Sequence, residues 1–284
     1  MANTVPTLVL RWTLVTLVLA LVALLILLPF ASFLATAIWR LDGNEIVRDP
    51  TLDNFRSFFG NETYVAVFLR TLGLCAKVTL IGLAIGYPIA WFIWRRQAVA
   101  RYLLLFAFVI PLFMSYIVKI YTMRAILGLN GFLNQILVGA GVLEKPSLVF
   151  LYNQTSILVT MAVIFLPFLI LPVFLSLDRI PRNLIEASAD LGAGTFRTLW
   201  HVIVPLSLPG AIAGSLFTFV LALGDFVTPQ MVGGPNGFTF GRVIWSQFGL
   251  AYNWPFGAAM GAVLLAVSIM FIVSAGLILR RQRV

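Results

Sequence analysis

Residues 14–30 read LVTLVLALVALLILLPF, a run that is apolar apart from one threonine and one proline. A stretch that is apolar on every face predicts a helix in lipid. A transmembrane strand would instead alternate apolar and polar residues over about ten positions. About 20 residues are needed for a helix to cross the hydrocarbon layer. The sequence therefore predicts a membrane-spanning helix around this stretch.

Five further runs of similar length and hydropathy follow along the chain. The six predicted spans are approximately 12–39, 65–94, 102–122, 155–177, 207–227 and 256–279. Composition agrees, because 61% of the 284 residues are hydrophobic and 10% are charged, whereas a soluble domain carries about 25% charged residues. We therefore predict an all-α polytopic membrane protein of six transmembrane helices, forming a single domain over residues 1–284.

The first span and the orientation need separate arguments. Arg11 precedes a run that could be a signal peptide, but the run exceeds the usual apolar core of about 7–15 residues, so we favour a retained span. Cytoplasmic loops are enriched in Lys and Arg, and with the N-terminus inside they hold ten basic residues against six outside. The ten are Arg11, Arg95, Arg96, Arg101, Arg179, Arg182, Arg197, Arg280, Arg281 and Arg283. We therefore predict that both termini are cytoplasmic.

Several function classes are excluded by what the sequence lacks. The net charge of +9 is not clustered into a basic arm, so we expect no nucleic-acid partner. None of the three lysines follows a glycine, which rules out a phosphate-binding Gly-x-x-x-x-Gly-Lys loop. The single cysteine, Cys75, and the single histidine, His201, argue against a cysteine- or histidine-based metal site. We therefore expect neither an enzyme nor a resident cofactor.

The loop between the fourth and fifth spans carries the strongest motif. Residues 178–195 read DRIPRNLIEASADLGAGT. Asn183 and Glu186 fit a capping box that begins a helix, and Gly192 or Gly194 would end it. A helix this short needs a partner surface, which is either another protein or the bilayer interface. The scarcity of Lys and Arg on its polar face favours docking to a protein.

At these residues the chain resembles the permease subunits of bacterial ATP-binding-cassette (ABC) importers. Their cytoplasmic signature is Glu-Ala-Ala, three residues, Gly, nine residues, then Ile-x-Leu-Pro. In this chain Glu186, Gly192 and Pro205 keep that spacing, while Ser188 replaces Ala and two valines replace Ile and Leu.

The resemblance implies a type I ABC importer permease in the bacterial inner membrane. Loop 178–205 would form a coupling helix that sits in a cleft of a separate ATPase subunit. The residues implied in ATPase coupling are Glu186, Ala187, Ser188, Asp190, Leu191, Gly192 and Pro205. The implied partners are a second permease subunit, two cytoplasmic ATPase subunits that bind ATP and Mg, a solute-binding protein outside, and membrane lipid.

A second set of residues narrows the resemblance. Residues 111–121 (PLFMSYIVKIY), 128–134 (GLNGFLN) and 223–229 (LGDFVTP) look like the spermidine/putrescine permeases, especially the first of that system's two permease subunits. This likeness implies a polyamine as solute. Related permeases for ferric iron, phosphonates or opines share much of the pattern. A stand-alone carrier or channel, and a receptor without transport, are the competing classes.

Two charged residues stand near the outer ends of predicted spans. Asp225 lies 18 residues beyond Ser207, and Lys119 lies 18 residues beyond Arg101. In a continuous helix each residue therefore lies roughly 27 Å along the helix axis from that first residue. A charge in hydrocarbon needs a partner or a water-filled cavity. Asp225 could pair with Lys119, face a translocation cavity and attract a cationic solute, or be exposed at the outer surface.

Aromatic residues near the same depth are candidates for binding the ammonium groups of a polyamine. They are Tyr116, Tyr121, Phe226 and Trp245. Each could instead be a packing residue or part of an interfacial aromatic belt. Pro88 and Pro111 lie within predicted spans and are expected to kink them.

Overall fold

The structure, a computed structural model, describes residues 5–43 and 45–281, so Arg283 lies outside the described residues. The helices are α1 Val5–Thr36, α2 Asp53–Gly60, α3 Glu62–Trp94, α4 Ala98–Val109, α5 Tyr116–Leu127, α6 Phe132–Gly139, α7 Gln154–Asp178, α8 Arg182–Asp190, α9 Thr195–Thr198, α10 Val204–Gly224, α11 Val227–Val232, α12 Phe240–Gly249 and α13 Trp254–Arg281. Strands β1 Arg40–Asp42 and β2 Glu45–Val47 pair as an antiparallel hairpin. Single 3-10 turns cover Ile110–Phe113, Leu148–Phe150 and Gly234–Asn236, and a π-helical turn covers Leu199–Ile203.

Long apolar helices coincide with the predicted spans. Within the described residues five helices are long and apolar enough to cross a membrane, and a sixth is added if one bent pair counts as a single span. The fold class predicted from the apolar runs is therefore confirmed. Apolar side chains of α1 are exposed from Trp12 to Phe30, as with Leu25 at 65%, which suits a helix that faces lipid.

The third predicted span, 102–122, is not one continuous helix. Its two parts, Val99–Phe113 and Tyr116–Gly139, meet at an angle of 103°. Pro111 lies in the 3-10 turn, and the backbone is extended at Met114 and Ser115. Proline cannot donate a helical hydrogen bond and clashes with the preceding turn, which explains why the helix ends here. Pro88, by contrast, lies inside the unbroken helix α3.

The described residues form two compact units. The first comprises residues from Met1–Asn61 and Ile244–Leu265. Its core is small, with Ala37, Ala258 and Ala259 buried against Phe33 and Phe55. The Asn54 amide donates to the backbone oxygens of Ala37 and Trp39 at 2.9 and 2.8 Å. These bonds tie α2 to the chain that leaves α1.

The second unit comprises Glu62–Val243 and Ala266–Val284 and contains the packed helices α3, α7 and α10. Leu169 of α7 is fully buried. A Cβ atom built on Gly86 or Gly214 would lie 2.7 or 3.0 Å from Leu169 atoms. Glycine therefore lets the three helices approach closely, as small residues do in membrane bundles.

Gly210 makes the tightest of these approaches and supplies a stability test. Its added Cβ would lie 2.4 Å from both the Pro172 oxygen and Ser176 Cβ. We expect Gly210→Ala to destabilise the protein by about 1–3 kcal/mol through overpacking. Nothing lies within 4 Å of a Cβ on Gly73 of α3, so Gly73→Ala should be neutral or up to about 1 kcal/mol stabilising. Thermal unfolding in detergent measures both, and equal midpoints would contradict the close contact.

Candidate functional site

Helix α8 lies in the first half of the predicted coupling loop, and its first residue comes earlier in the sequence than predicted. It starts at Arg182 after the N-cap residue Pro181, which makes no side-chain capping bond. The predicted Asn183–Glu186 capping box is therefore wrong. The Leu184 N–H already donates to the Pro181 oxygen at 3.2 Å, which places Asn183 inside the first turn, where its side chain cannot act as an N-cap.

The end of α8 is formed by Gly192, as predicted. Gly192 has φ +76°, and its N–H donates to the Ala189 oxygen at 2.8 Å. The next N–H, of Ala193, donates to the Ser188 oxygen at 3.0 Å. These two bonds form a Schellman motif, which requires a left-handed residue that is usually glycine. The chain therefore turns sharply at Gly192.

One side of α8 is attached to the bundle and the other is open. Ile185 packs against the buried cluster of α3, α7 and α10, and the Ser188 and Thr198 hydroxyls lie 2.9 Å apart. Beyond the helix, Leu191 and Phe196 are 88% and 74% exposed. Exposed apolar side chains grouped with the exposed Glu186, Ala187 and Asp190 are typical of a surface that binds a protein.

Pro205 stands where α10 begins. The preceding residues, Leu199–Ile203, form a π-helical turn, and Pro205 occupies the first turn of α10. Proline has no N–H to donate to the carbonyl of the preceding turn, so a wider turn is accommodated at this point. The coupling loop is thereby joined to α10 through an irregular turn.

Asp225 lies at the junction of α10 and α11. Its Oδ1 accepts the backbone N–H groups of Val227 and Thr228 at 3.0 and 3.1 Å. Its Oδ2 accepts the Tyr116 hydroxyl at 2.5 Å, and the same hydroxyl lies 2.8 Å from the Thr228 hydroxyl. One carboxylate therefore connects α5, α10 and α11.

Two of the three predicted environments for Asp225 are excluded. Within the described residues, salt bridges join Arg56 to Asp53 and Arg101 to Asp178, so the predicted Lys119–Asp225 ion pair is wrong. Lys119 Nζ instead lies 5.5 Å from the centre of the Tyr116 ring. The carboxylate oxygen that does not bind the backbone N–H groups accepts the Tyr116 hydroxyl instead. Asp225 is only 8% exposed, so simple exposure at the outer surface is also wrong.

The remaining alternative is a cavity, and one is present. It has a volume of about 410 Å³ and contains Asp225 and Lys119 in a mainly apolar wall. The aromatic residues that line it are Tyr116, Phe165, Phe168 and Phe226. The Tyr116 and Phe165 rings stack with centres 6.3 Å apart. The cavity therefore combines one carboxylate, one ammonium group and several aromatic faces.

The aromatic candidates fare differently. Tyr116 and Phe226 line the cavity. Tyr121 is 54% exposed with the Arg124 guanidinium 5.8 Å from its ring, and Trp245 lies partly buried on α12 in the first unit. Sequence reasoning missed Thr228. Its backbone N–H donates to the Asp225 carboxylate, and an acidic residue just before a helix is a recognisable signal for such a bond.

The chain is similar to proteins of known families. Residues 79–284 match the family described as "Binding-protein-dependent transport system inner membrane component". The spermidine/putrescine transport system permease protein PotB of Haemophilus influenzae is 34% identical over 261 residues, covering 90% of this chain and 91% of PotB. The inner membrane ABC transporter permease protein YdcU of Escherichia coli is 36% identical, covering 80% and 76%. A chain of the bacterial alginate ABC transporter crystal structure, in complex with alginate pentasaccharide-bound periplasmic protein, has TM-score 0.75 at 17% identity, covering 95% and 94%.

Proposed function

This chain belongs to the family of binding-protein-dependent transport system inner membrane components, and we propose that its solute is a polyamine such as spermidine or putrescine. It is a permease subunit of an ABC importer, a multi-pass protein of the bacterial inner membrane with the type I importer fold. It is not an enzyme, because a separate ATPase subunit hydrolyses ATP.

Transport by this subunit requires several partner proteins. A second permease subunit completes the path, a periplasmic binding protein delivers the solute, and both termini of this chain face the cytoplasm. Two ATPase subunits, which carry ATP and Mg, dock on the cytoplasmic side, and one of them receives α8 and the turn at Gly192. Closure of the ATPase dimer then moves α10 through the irregular turn before Pro205, as a rigid-body transition. Lipid surrounds the apolar spans, and nucleic acid plays no part.

The coupling residues have distinct tasks in this proposal. Glu186 is exposed on α8 and offers a carboxylate for a charge-assisted bond to the ATPase. Ala187 and Ser188 are small enough for close approach of the two proteins. Gly192 directs the exposed Leu191 outward, where its side chain can be buried by the ATPase.

The observation that supports a polyamine as the solute is the Asp225 cavity, in a chain whose relatives are named spermidine/putrescine permeases. A polyamine is a flexible chain with ammonium groups at intervals. Carboxylates and aromatic faces are the groups that hold such cations. The volume of about 410 Å³ lies within the usual range for small-molecule pockets, about 300–1,000 Å³.

Lys119 is the specific observation that supports a second solute class. Its ammonium group lies in the same cavity as Asp225 and would repel a cation there. A solute with both an amine and a carboxylate, as an opine has, could bind both residues. A polyamine would instead bind to Asp225 and the aromatic rings. The ammonium group of Lys119 would then turn toward bulk water, which its flexible side chain permits.

Transport by the reconstituted system tests the proposal. The chain is purified with the partner permease, ATPase and binding protein encoded beside it and placed in liposomes that enclose ATP. Labelled spermidine and putrescine are offered outside in competition with unlabelled opines, phosphonates and ferric complexes. We expect ATP-dependent uptake that only polyamines inhibit.

Other outcomes identify the alternatives. Uptake that opines inhibit and polyamines do not would reject the polyamine and assign the mixed-charge solute. Uptake without ATP, driven by an ion gradient in liposomes holding this chain alone, would show a stand-alone carrier. The absence of solute flux under any energy source would indicate a receptor.

A further inference from the structure

A second cavity lies in the second unit, and Asp225 does not line it. It has a volume of about 660 Å³. It lies where α3 ends at Trp94, α4 begins at Ala98 and α7 ends at Asp178, beside the first turns of α8. Two long apolar helices and the 12-residue helix α4 therefore have their ends around it, which places it at one boundary between lipid and water.

The charge of this cavity is unbalanced. Four arginines line it against two acidic residues, Asp178 and Glu186; the arginines are Arg95, Arg96, Arg101 and Arg182. Asp178 pairs with Arg101. Within the described residues Arg95, Arg96 and Arg182 form no salt bridge. The cavity therefore keeps an excess of positive charge.

The arginines are held in place by their apolar neighbours. The Arg96 guanidinium lies 4.0 Å from the centre of the Phe92 ring, and that of Arg95 lies 5.0 Å from the Trp91 ring. Arg101 lies 4.9 Å from the Phe174 ring, and its Nε is buried without a hydrogen-bond partner. Because the charged groups are oriented before binding, less conformational entropy is lost when an anion binds.

An exposed apolar surface continues directly from the cavity. On α4, Tyr102 lines the cavity and is 59% exposed. Val99, Leu103 and Phe106 on the same helix are 74%, 64% and 60% exposed. These residues follow a spacing of three or four, so they share one face of α4. A ligand in the cavity would therefore lie next to a surface suited to hydrocarbon.

We propose that this cavity binds the headgroup of an anionic phospholipid, whose phosphate contacts the arginines while its acyl chains cover the exposed face of α4. Basic pockets between helices at the cytoplasmic boundary attract such headgroups, and arginine binds phosphate through paired N–H groups. A free anion would leave the apolar face of α4 uncovered. An acidic segment of a protein would also leave it uncovered, which is why lipid is favoured.

The site adjoins the proposed coupling helix. Arg182, Ile185 and Glu186 of α8 line the same cavity. The bound headgroup would therefore contact the first turns of α8, and this consequence rests on the proposed function. The lipid site itself rests only on the membrane-spanning fold, so its test does not depend on the solute.

Native mass spectrometry of the complete transporter tests the site. After delipidation, palmitoyl-oleoyl phosphatidylglycerol or the zwitterionic palmitoyl-oleoyl phosphatidylcholine is added, with or without inorganic phosphate. We expect preferential retention of phosphatidylglycerol that phosphate does not displace. The double variant Arg95→Gln, Arg96→Gln should weaken this retention about 25-fold. Each basic residue near a charged headgroup contributes about five-fold to binding, and the two effects multiply.

The matched control is Arg280→Gln. Arg280 is an exposed arginine near the end of α13 and does not line the cavity. We expect this variant to retain the lipid as the unchanged protein does. Thermal unfolding of all variants verifies that they are folded.

Four results would overturn the lipid site. The first is equal retention of the two lipids, and the second is an equal loss in Arg280→Gln. The third is displacement by inorganic phosphate, which would assign a free anion. Loss of ATPase binding in the double variant with lipid retention unchanged would likewise overturn it, in favour of an acidic protein surface. The first three results concern lipid binding alone and leave the proposed function intact.

Discussion

Gly192→Val is expected to reduce ATP-driven uptake at least about ten-fold while the protein remains inserted in the membrane. Gly192 has φ +76°, a region in which a β-branched residue is strained by roughly 1–2 kcal/mol. The Schellman bonds of Gly192 and Ala193 would then be lost, and α8 has only nine residues with which to compensate. The exposed side chain of Leu191 would no longer point toward the ATPase.

Gly194 provides the matched control in the same loop. Gly194 has φ −68° and ψ 165°, which valine adopts readily, and nothing lies within 4 Å of an added Cβ. Gly194→Val should therefore keep most of the uptake. Co-purification of the ATPase with each variant, together with uptake in liposomes, measures coupling. Normal ATPase binding and uptake in Gly192→Val would refute the coupling role of this turn.

Glu186→Ala separates docking from helix shape. Glu186 is exposed on α8, so its removal should leave the helix intact and weaken ATPase association by the loss of one charge-assisted bond.

Asp225→Asn is the second variant with a large expected effect. Asparagine has nearly the same shape, and its oxygen can still accept the N–H groups of Val227 and Thr228. The change removes the only carboxylate among the described residues that line the cavity, so a cationic solute loses its charged partner. Hydrogen bonds to charged groups contribute about 1.5–3 kcal/mol, which predicts a fall in polyamine uptake of roughly 10- to 150-fold.

Tyr116→Phe distinguishes solute binding from structural support. It removes the hydroxyl that donates to Asp225 at 2.5 Å while keeping both the ring and the carboxylate charge. If the charge of Asp225 binds the solute, uptake falls far more in Asp225→Asn than in Tyr116→Phe. If Asp225 only joins α5 to α11, both variants should lower the unfolding temperature and uptake to similar degrees. Equal losses would therefore contradict the solute role.

The features that the sequence predicted well depend on local chemistry. Apolar runs placed the spans, because the cost of unpaired backbone groups in lipid leaves helices as the only form for such runs. Gly192 ended α8 because only its own backbone needs the left-handed conformation. The start of α8 was misplaced because Pro181 and the Leu184 N–H competed with the Asn183 side chain for that turn.

Asp225 shows the opposite case. Equal helical rise correctly brought Lys119 and Asp225 into one cavity, but it also predicted an ion pair that does not form. The helical rise from Arg101 to Lys119 treats these residues as one continuous helix, whereas the expected kink at Pro111 is a full break that redirects α5 by 103°. The break carries the Tyr116 hydroxyl to the carboxylate, where the pairing partner was expected to be. Phe165 and Phe168 gave no signal, since phenylalanine is unremarkable in an apolar helix.

By itself, the sequence determined the membrane class, the approximate spans and the loop from Glu186 to Pro205, because hydropathy and motif spacing are properties of neighbouring residues. Only the tertiary structure decided which groups donate hydrogen bonds to Asp225, which aromatic rings line its cavity and which arginines line the second cavity. These partners lie on helices separated by as many as 109 positions in the chain. They meet because small residues such as Gly210 and Gly214 let α7 and α10 pack closely, and no local pattern encodes the resulting contacts.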